Sequence, residues 1–231
     1  WRGELATSIK EKLERILLST GQHLKDNNKK NGVYDKWILN RVSIASQQVG
    51  NMIESMNIKG ALQIALFDMD NYFKQYLKMK QYRASPDVMR TLIRSWSSII
   101  APFMPYFAEE LYSLVGSFDS VIVEGWPKGL KYEEQVDLEI DLTLRLINDI
   151  KEILHVIKVK PIEKLINTLP ELQRKYFGKV DEVKIYTEHI NYIKQEVGIT
   201  IEVKNIKQAD QLSYARAEKA LPMKPSIFIE K

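Results

Sequence analysis

The chain has 231 residues, with 34 basic against 30 acidic and a net charge of +4, and its 45% apolar content is that of an ordinary folded protein. Cysteine is absent and the histidines are His23, His155 and His189, which excludes disulfides and thiolate chemistry and leaves no histidine pair at a metal-ligand spacing. No apolar run approaches the ~20 residues of a membrane span and no secretory signal opens the chain, so a cytoplasmic location without a membrane partner is expected.

Glu4 to Leu18 sets Leu5, Ile9, Leu13, Ile16 and Leu17 on one stripe and predicts a first helix. The Asn-, Asp- and Lys-rich run from Lys25 to Gly32 predicts a loop. A long helix follows from Asp35, with Trp37, Ile38, Val42, Ala45, Val49, Met52, Ile53 and Met56 facing inward. Asn57 suits the cap of the next helix, which carries Leu62, Ala65, Leu66, Met69, Phe73, Tyr76 and Leu77. Ser85-Pro86-Asp87 is a start signal: serine at the cap, proline at the first helical position, an acid in the first turn. That helix runs through Leu92, Ile93, Trp96 and Ile99 into Pro102 and Pro105. Each proline lacks an N–H and clashes with the preceding turn, so the chain must break here and restart as a new helix over Pro105 to Leu114. Glu109 and Glu110, early in that helix, read as compensation of its dipole.

After Gly116 the pattern changes. Val121-Ile122-Val123 predicts a short strand, and a helix is expected from Val136 to about Ile157. Val183-Lys184-Ile185-Tyr186, Ile199 to Val203 and Ser226 to Ile229 predict further strands, with helices around Ile162–Phe177 and His189–Val197 between them. The expected fold is therefore mainly α, an up-and-down helix bundle over residues 1–125 followed by a small α+β domain over 126–231.

No glycine-rich phosphate loop, G-x-S-x-G elbow or clearly spaced carboxylate pair is present, so no catalytic residue is assigned. Asp68 and Asp70 read as solvated, or paired with Lys74 one turn on, rather than as a cation site. The candidate binding surface is basic. Lys74, Lys78, Lys80, Arg83, Arg90 and Arg94 are crowded together with Asp87 as the one acid among them, and Tyr72, Tyr76 and Tyr82 are interleaved. Phosphate contact by Lys and Arg with base stacking on aromatics is how single-stranded or loop RNA is held. The same pattern also fits half-buried bundle tyrosines beside a solvated charged face.

Several stretches, taken in order, resemble one family. Trp1-Arg2 with its helix, Tyr34-Asp35-Lys36-Trp37-Ile38-Leu39-Asn40-Arg41-Val42, Ala61 to Met69, the Ala101-to-Glu110 corner and Glu124-Gly125-Trp126-Pro127 are similar to the helical domain of class I aminoacyl-tRNA synthetases of the leucine, isoleucine and valine group. The tail Ala217-Glu218-Lys219-Ala220-Leu221-Pro222-Met223-Lys224-Pro225-Ser226-Ile227-Phe228-Ile229-Glu230 resembles the C-terminus of archaeal-type leucyl-tRNA synthetases. The resemblance implies the C-terminal part of such an enzyme, which as a whole ligates leucine to tRNA(Leu) using ATP and Mg. The fragment itself would hold no cofactor, since the family's nucleotide signatures are unmatched and Lys78-Met79-Lys80-Gln81 is a superficial echo of one. Its implied partners are tRNA(Leu), through the long variable arm, and the catalytic domain upstream in the same chain. Ile229 and Glu230 are then expected to contact bases, with Lys219 and Lys224 on phosphates. Before the tail, Val159-Lys160-Pro161 passes to a short helix where the family carries a longer domain. That departure leaves open an interaction or scaffold domain in a synthetase paralogue with weakened or lost tRNA charging.

Overall fold

The structure, a computed structural model, describes residues 3–25, 32–116, 119–157, 165–169, 181–199, 201–205 and 225–229. The chain forms two compact units, Trp1–Val136 and Asp137–Lys231. The first is the expected up-and-down bundle: α1 (Gly3–His23), α2 (Val33–Glu54), α3 (Ile58–Leu62), α4 (Met69–Met79), α5 (Pro86–Ile100), α6 (Pro105–Ser113) and the single turn α7 (Val121–Glu124).

Apolar residues at helical spacing bring α2 against α4 and α5. Ile38, Val42 and Val49 of α2 are fully buried, as are Met69, Phe73 and Tyr76 of α4 and Met89, Leu92, Ile93 and Trp96 of α5. Two expected inward positions face out instead. Met56 is 80% exposed because α2 ends at Glu54 and Met56 enters the closing turn with φ 58. Ile9 of α1 is 40% exposed, while Ile16 of the same stripe is fully buried.

Asn57 caps α3 as expected, its side chain accepting from Gly60 N at 3.1 Å. Between α3 and α4 the helix widens over Gln63–Asp68 into a π segment, in which Met69 N–H reaches back to the Ile64 carbonyl. Trp96 fills the widened turn, and its Nε1–H donates to the Ala65 carbonyl at 2.7 Å in the buried core. The proline corner is present. α5 ends at Ile100, whose carbonyl accepts from both Phe103 N and Met104 N, and α6 restarts at Pro105. Glu109 has a more specific task than dipole compensation: it accepts from Val121 N at 3.1 Å and from the Ser120 hydroxyl, and so ties down the start of α7.

Residues 121–123 were expected as a strand and form that helical turn. Ser120 caps it through Ile122 N, and Ile122 and Val123 are 77% and 74% exposed, where no neighbouring strand pairs with them among the described residues.

The second unit holds all but the first three residues of α8 (Glu134–Ile157), with β1 (Leu165–Leu169), α9 (Glu182–Glu188), α10 (Ile190–Val197), β2 (Ile201–Asn205) and β3 (Ser226–Ile229). The sheet order is β2-β1-β3, with β2 parallel and β3 antiparallel to the central β1. The parallel pair needs a crossover, which α9 and α10 supply. Two expectations are corrected. Residues 165–169, expected within a helix, are the central strand, fixed by pairing with two distant segments. Val183–Tyr186, expected as a strand, lies in α9, where Asp181 caps the helix by accepting from Lys184 N at 3.2 Å and Ile185 and Tyr186 are buried. His189, buried at the α9–α10 junction, meets Glu139 Oε1 at 2.8 Å, and burial beside Glu182 and Asp149 pushes the Tyr186 phenol up.

Candidate nucleic-acid interface

The basic cluster lies on α4, on the turn after it, and on α5. Amphipathic α4 buries Phe73, Tyr76 and Leu77, which sorts its cations by face. Lys74 and Lys78, four residues apart, share the outer side, and Lys78 is exposed. Lys74 Nζ sits 2.6 Å from Asp70 Oδ2, a carboxylate that is 1% exposed and also receives Lys12 at 2.8 Å and Arg15 at 3.4 Å. Burial opposes the charge on Asp70. Hydrogen bonds from Lys12 and Lys74, with their positive charges, outweigh it and hold the carboxyl below its ordinary 3.8. Asp70 is therefore paired with Lys74, as one sequence reading had it, but buried rather than solvated.

Lys80 faces inward. Its Nζ lies 2.8 Å from Asp35 Oδ2, with the two side chains 9% and 2% exposed. The same carboxylate accepts from Tyr76 Oη at 2.6 Å and from Gly32 N at 2.8 Å, and Tyr76 Oη in turn accepts from Ser85 N at 3.3 Å. One buried network thus joins the start of α2, the end of α4 and the start of α5. Ser85 stands at the predicted cap of α5, but its side chain makes no cap hydrogen bond.

The three tyrosines separate likewise. Tyr76 is buried in the Asp35 network, and Tyr72 is half-buried edge-on to Trp37, with Arg41 5.8 Å above both rings. Tyr82 is 55% exposed. Arg83 is exposed beside it, as are Arg90 and Arg94 one turn apart on α5, where Arg90 pairs with Asp87 at 3.1 Å. Near the C-terminus, Ile229 closes β3 opposite Leu165. Lys219, Lys224 and Glu230 lie outside the described residues.

The internal partners Asp35, Lys12 and Arg15 were missed by sequence reasoning, because each lies more than forty positions from the cation or carboxylate it meets. Among the described residues no three metal-ligating side chains converge, and no helix is long and apolar enough to cross a membrane.

The family model described as the anticodon-binding domain of tRNA ligase matches residues 35–167, starting at the Asp35 that anchors the buried network. A leucine–tRNA ligase of Pyrococcus abyssi is 25% identical over 283 residues, covering 100% of this chain and 29% of the relative. That span exceeds the 231 residues of this chain, so the relative carries segments without a counterpart here. Leucine–tRNA ligase 2 of Metallosphaera sedula is 29% identical over 70% of the chain and 17% of the relative, and leucine–tRNA ligase 2 of Saccharolobus solfataricus is 31% identical over 56% and 14%. The chain thus spans less than a third of the length of these curated relatives.

Proposed function

The chain belongs to the family of anticodon-binding domains of tRNA ligases, and from that premise we propose that it is the tRNA-positioning part of an archaeal-type leucine–tRNA ligase acting in the cytoplasm. The carrying observation is that a leucine–tRNA ligase aligns with the whole of this chain, bundle and sheet alike. The substrate bound is tRNA(Leu), gripped at its long variable arm. In this reading ATP, Mg and the ligation of leucine belong to a catalytic domain upstream in a longer chain.

Lys219 and Lys224 hold phosphates in this reading, while Ile229 and Glu230 meet bases. The position of β3 supports it. Among the described strands β3 lies at the edge of the sheet beside β1, and the backbone of an edge strand suits hydrogen bonds to base edges. Saturable filter binding of leucine tRNA with a Kd below about 1 μM, tighter than the ~10⁻⁶–10⁻⁴ M of non-specific association, is the expected result. Absence of binding by a chain whose helical circular dichroism is intact overturns the proposal. That outcome favours the second reading, a scaffold or interaction domain of a synthetase paralogue.

A further inference from the structure

Helix α4 closes without glycine. Tyr82 N donates to the Leu77 carbonyl at 2.7 Å and Gln81 N to the Lys78 carbonyl at 3.0 Å, the paired bonds of a Schellman closure. Gln81 and Tyr82 both take left-handed backbone there, with φ 51 and 58. That conformation costs a residue with a Cβ about 1–2 kcal/mol, and such outliers cluster at functional sites. Here the strained turn carries a large aromatic ring outward, while Tyr76, six residues earlier, is fully buried.

The ring is not loose on the surface. His23, at the end of α1, is 6% exposed and stacks beside Tyr82 with centroids 6.4 Å apart and planes 28° apart. The buried Lys80–Asp35 pair fixes the base of the same turn. Lys78 and Arg83, both exposed, flank the ring in sequence, and no acid occurs between Asp70 and Asp87. A backed, half-exposed aromatic ring with exposed cations close to it in sequence suits a nucleobase and its flanking phosphates.

We propose that Tyr82 is a stacking platform for one unpaired nucleobase of the bound tRNA, with Lys78 and Arg83 holding the flanking phosphates. The site rests on the tRNA-binding reading above and adds a contact in the bundle to the one proposed for the C-terminal strand. Every base has a π-face, so the platform accepts any of them and contributes affinity rather than sequence choice. Lys80 acts here as a positioning residue, since its ammonium is held by Asp35.

The test is filter binding of leucine tRNA to the full 231-residue chain and its variants over a salt series. Tyr82→Ala should weaken binding about 5- to 150-fold, the range of one base stack, while Tyr82→Phe keeps it. Tyr82→Asn removes the ring with a residue that tolerates left-handed backbone, so its loss must match that of Tyr82→Ala. Both should leave the slope of log K against log salt unchanged, whereas Lys78→Gln lowers it by roughly 1. Wild-type affinity in Tyr82→Ala and Tyr82→Asn overturns the platform and leaves the tRNA reading standing. Failure of the unsubstituted chain to bind overturns both.

Discussion

Asp35 Oδ2 and Lys80 Nζ lie 2.8 Å apart in a pocket where the two side chains are 2% and 9% exposed, linking the first turn of α2 to the end of α4. A buried pair of this kind positions more than it stabilises. Removing one partner exposes how much depends on it, because a charge is then stranded. Lys80→Ala should lower unfolding free energy by about 3 kcal/mol, read from denaturant midpoints at constant m. Asp35→Asn combined with Lys80→Met should cost less than the sum of the single changes. Strict additivity would show that the contact is not energetically coupled.

The indole of Trp96 gives a second test. It serves the Ala65 carbonyl inside the π segment at 2.7 Å, and both residues are fully buried. Trp96→Phe keeps most of the packing but leaves that carbonyl without its donor. A loss of about 1–3 kcal/mol is expected from the unsatisfied group, with additional cost from the lost ring volume. A near-neutral result would mean that water or a rearranged π turn satisfies Ala65.

Asp70 carries the pH dependence. Its folded-state carboxyl is held below 3.8, so at acid pH the unfolded chain takes up a proton before the native state does. The sign follows directly: the contribution is complete well above 3.8 and is lost as pH falls from there through the depressed native value. Asp70→Asn should therefore lose stability at neutral pH, by about 1–2 kcal/mol given that Arg15 and Lys74 remain partly in water. It should also show a shallower drop in urea midpoint between about pH 5 and pH 2.5. Parallel pH profiles for the two proteins would place the acid sensitivity elsewhere.

Much of this fold is legible locally. The 3.6-residue periodicity of α2, α4 and α5, the Asn57 cap and the Pro102–Pro105 break all stand where residue chemistry puts them. Two of the failures share a cause. Residues 121–123 and 183–186 are rich in β-branched side chains, yet the caps at Ser120 and Asp181 and the absence of a partner strand among the described residues made them helical. The central strand β1 was invisible for the opposite reason, since its pairing comes from β2 and β3, which lie more than thirty residues away in sequence. The basic cluster was legible as composition alone. Which cations face water depended on acids outside it: Asp35, forty-five positions from Lys80, turned that lysine inward, while Asp70 drew in Lys74.

The measurement that bears most directly on the central claim is paired filter-binding titration of the chain against leucine tRNA with its long variable arm and the same tRNA with the arm deleted, at fixed salt. The account predicts that deletion weakens binding by at least about tenfold, the equivalent of 1.4 kcal/mol, because the C-terminal strand loses its ligand while the bundle keeps its own. Equal affinity for the two RNAs would contradict it.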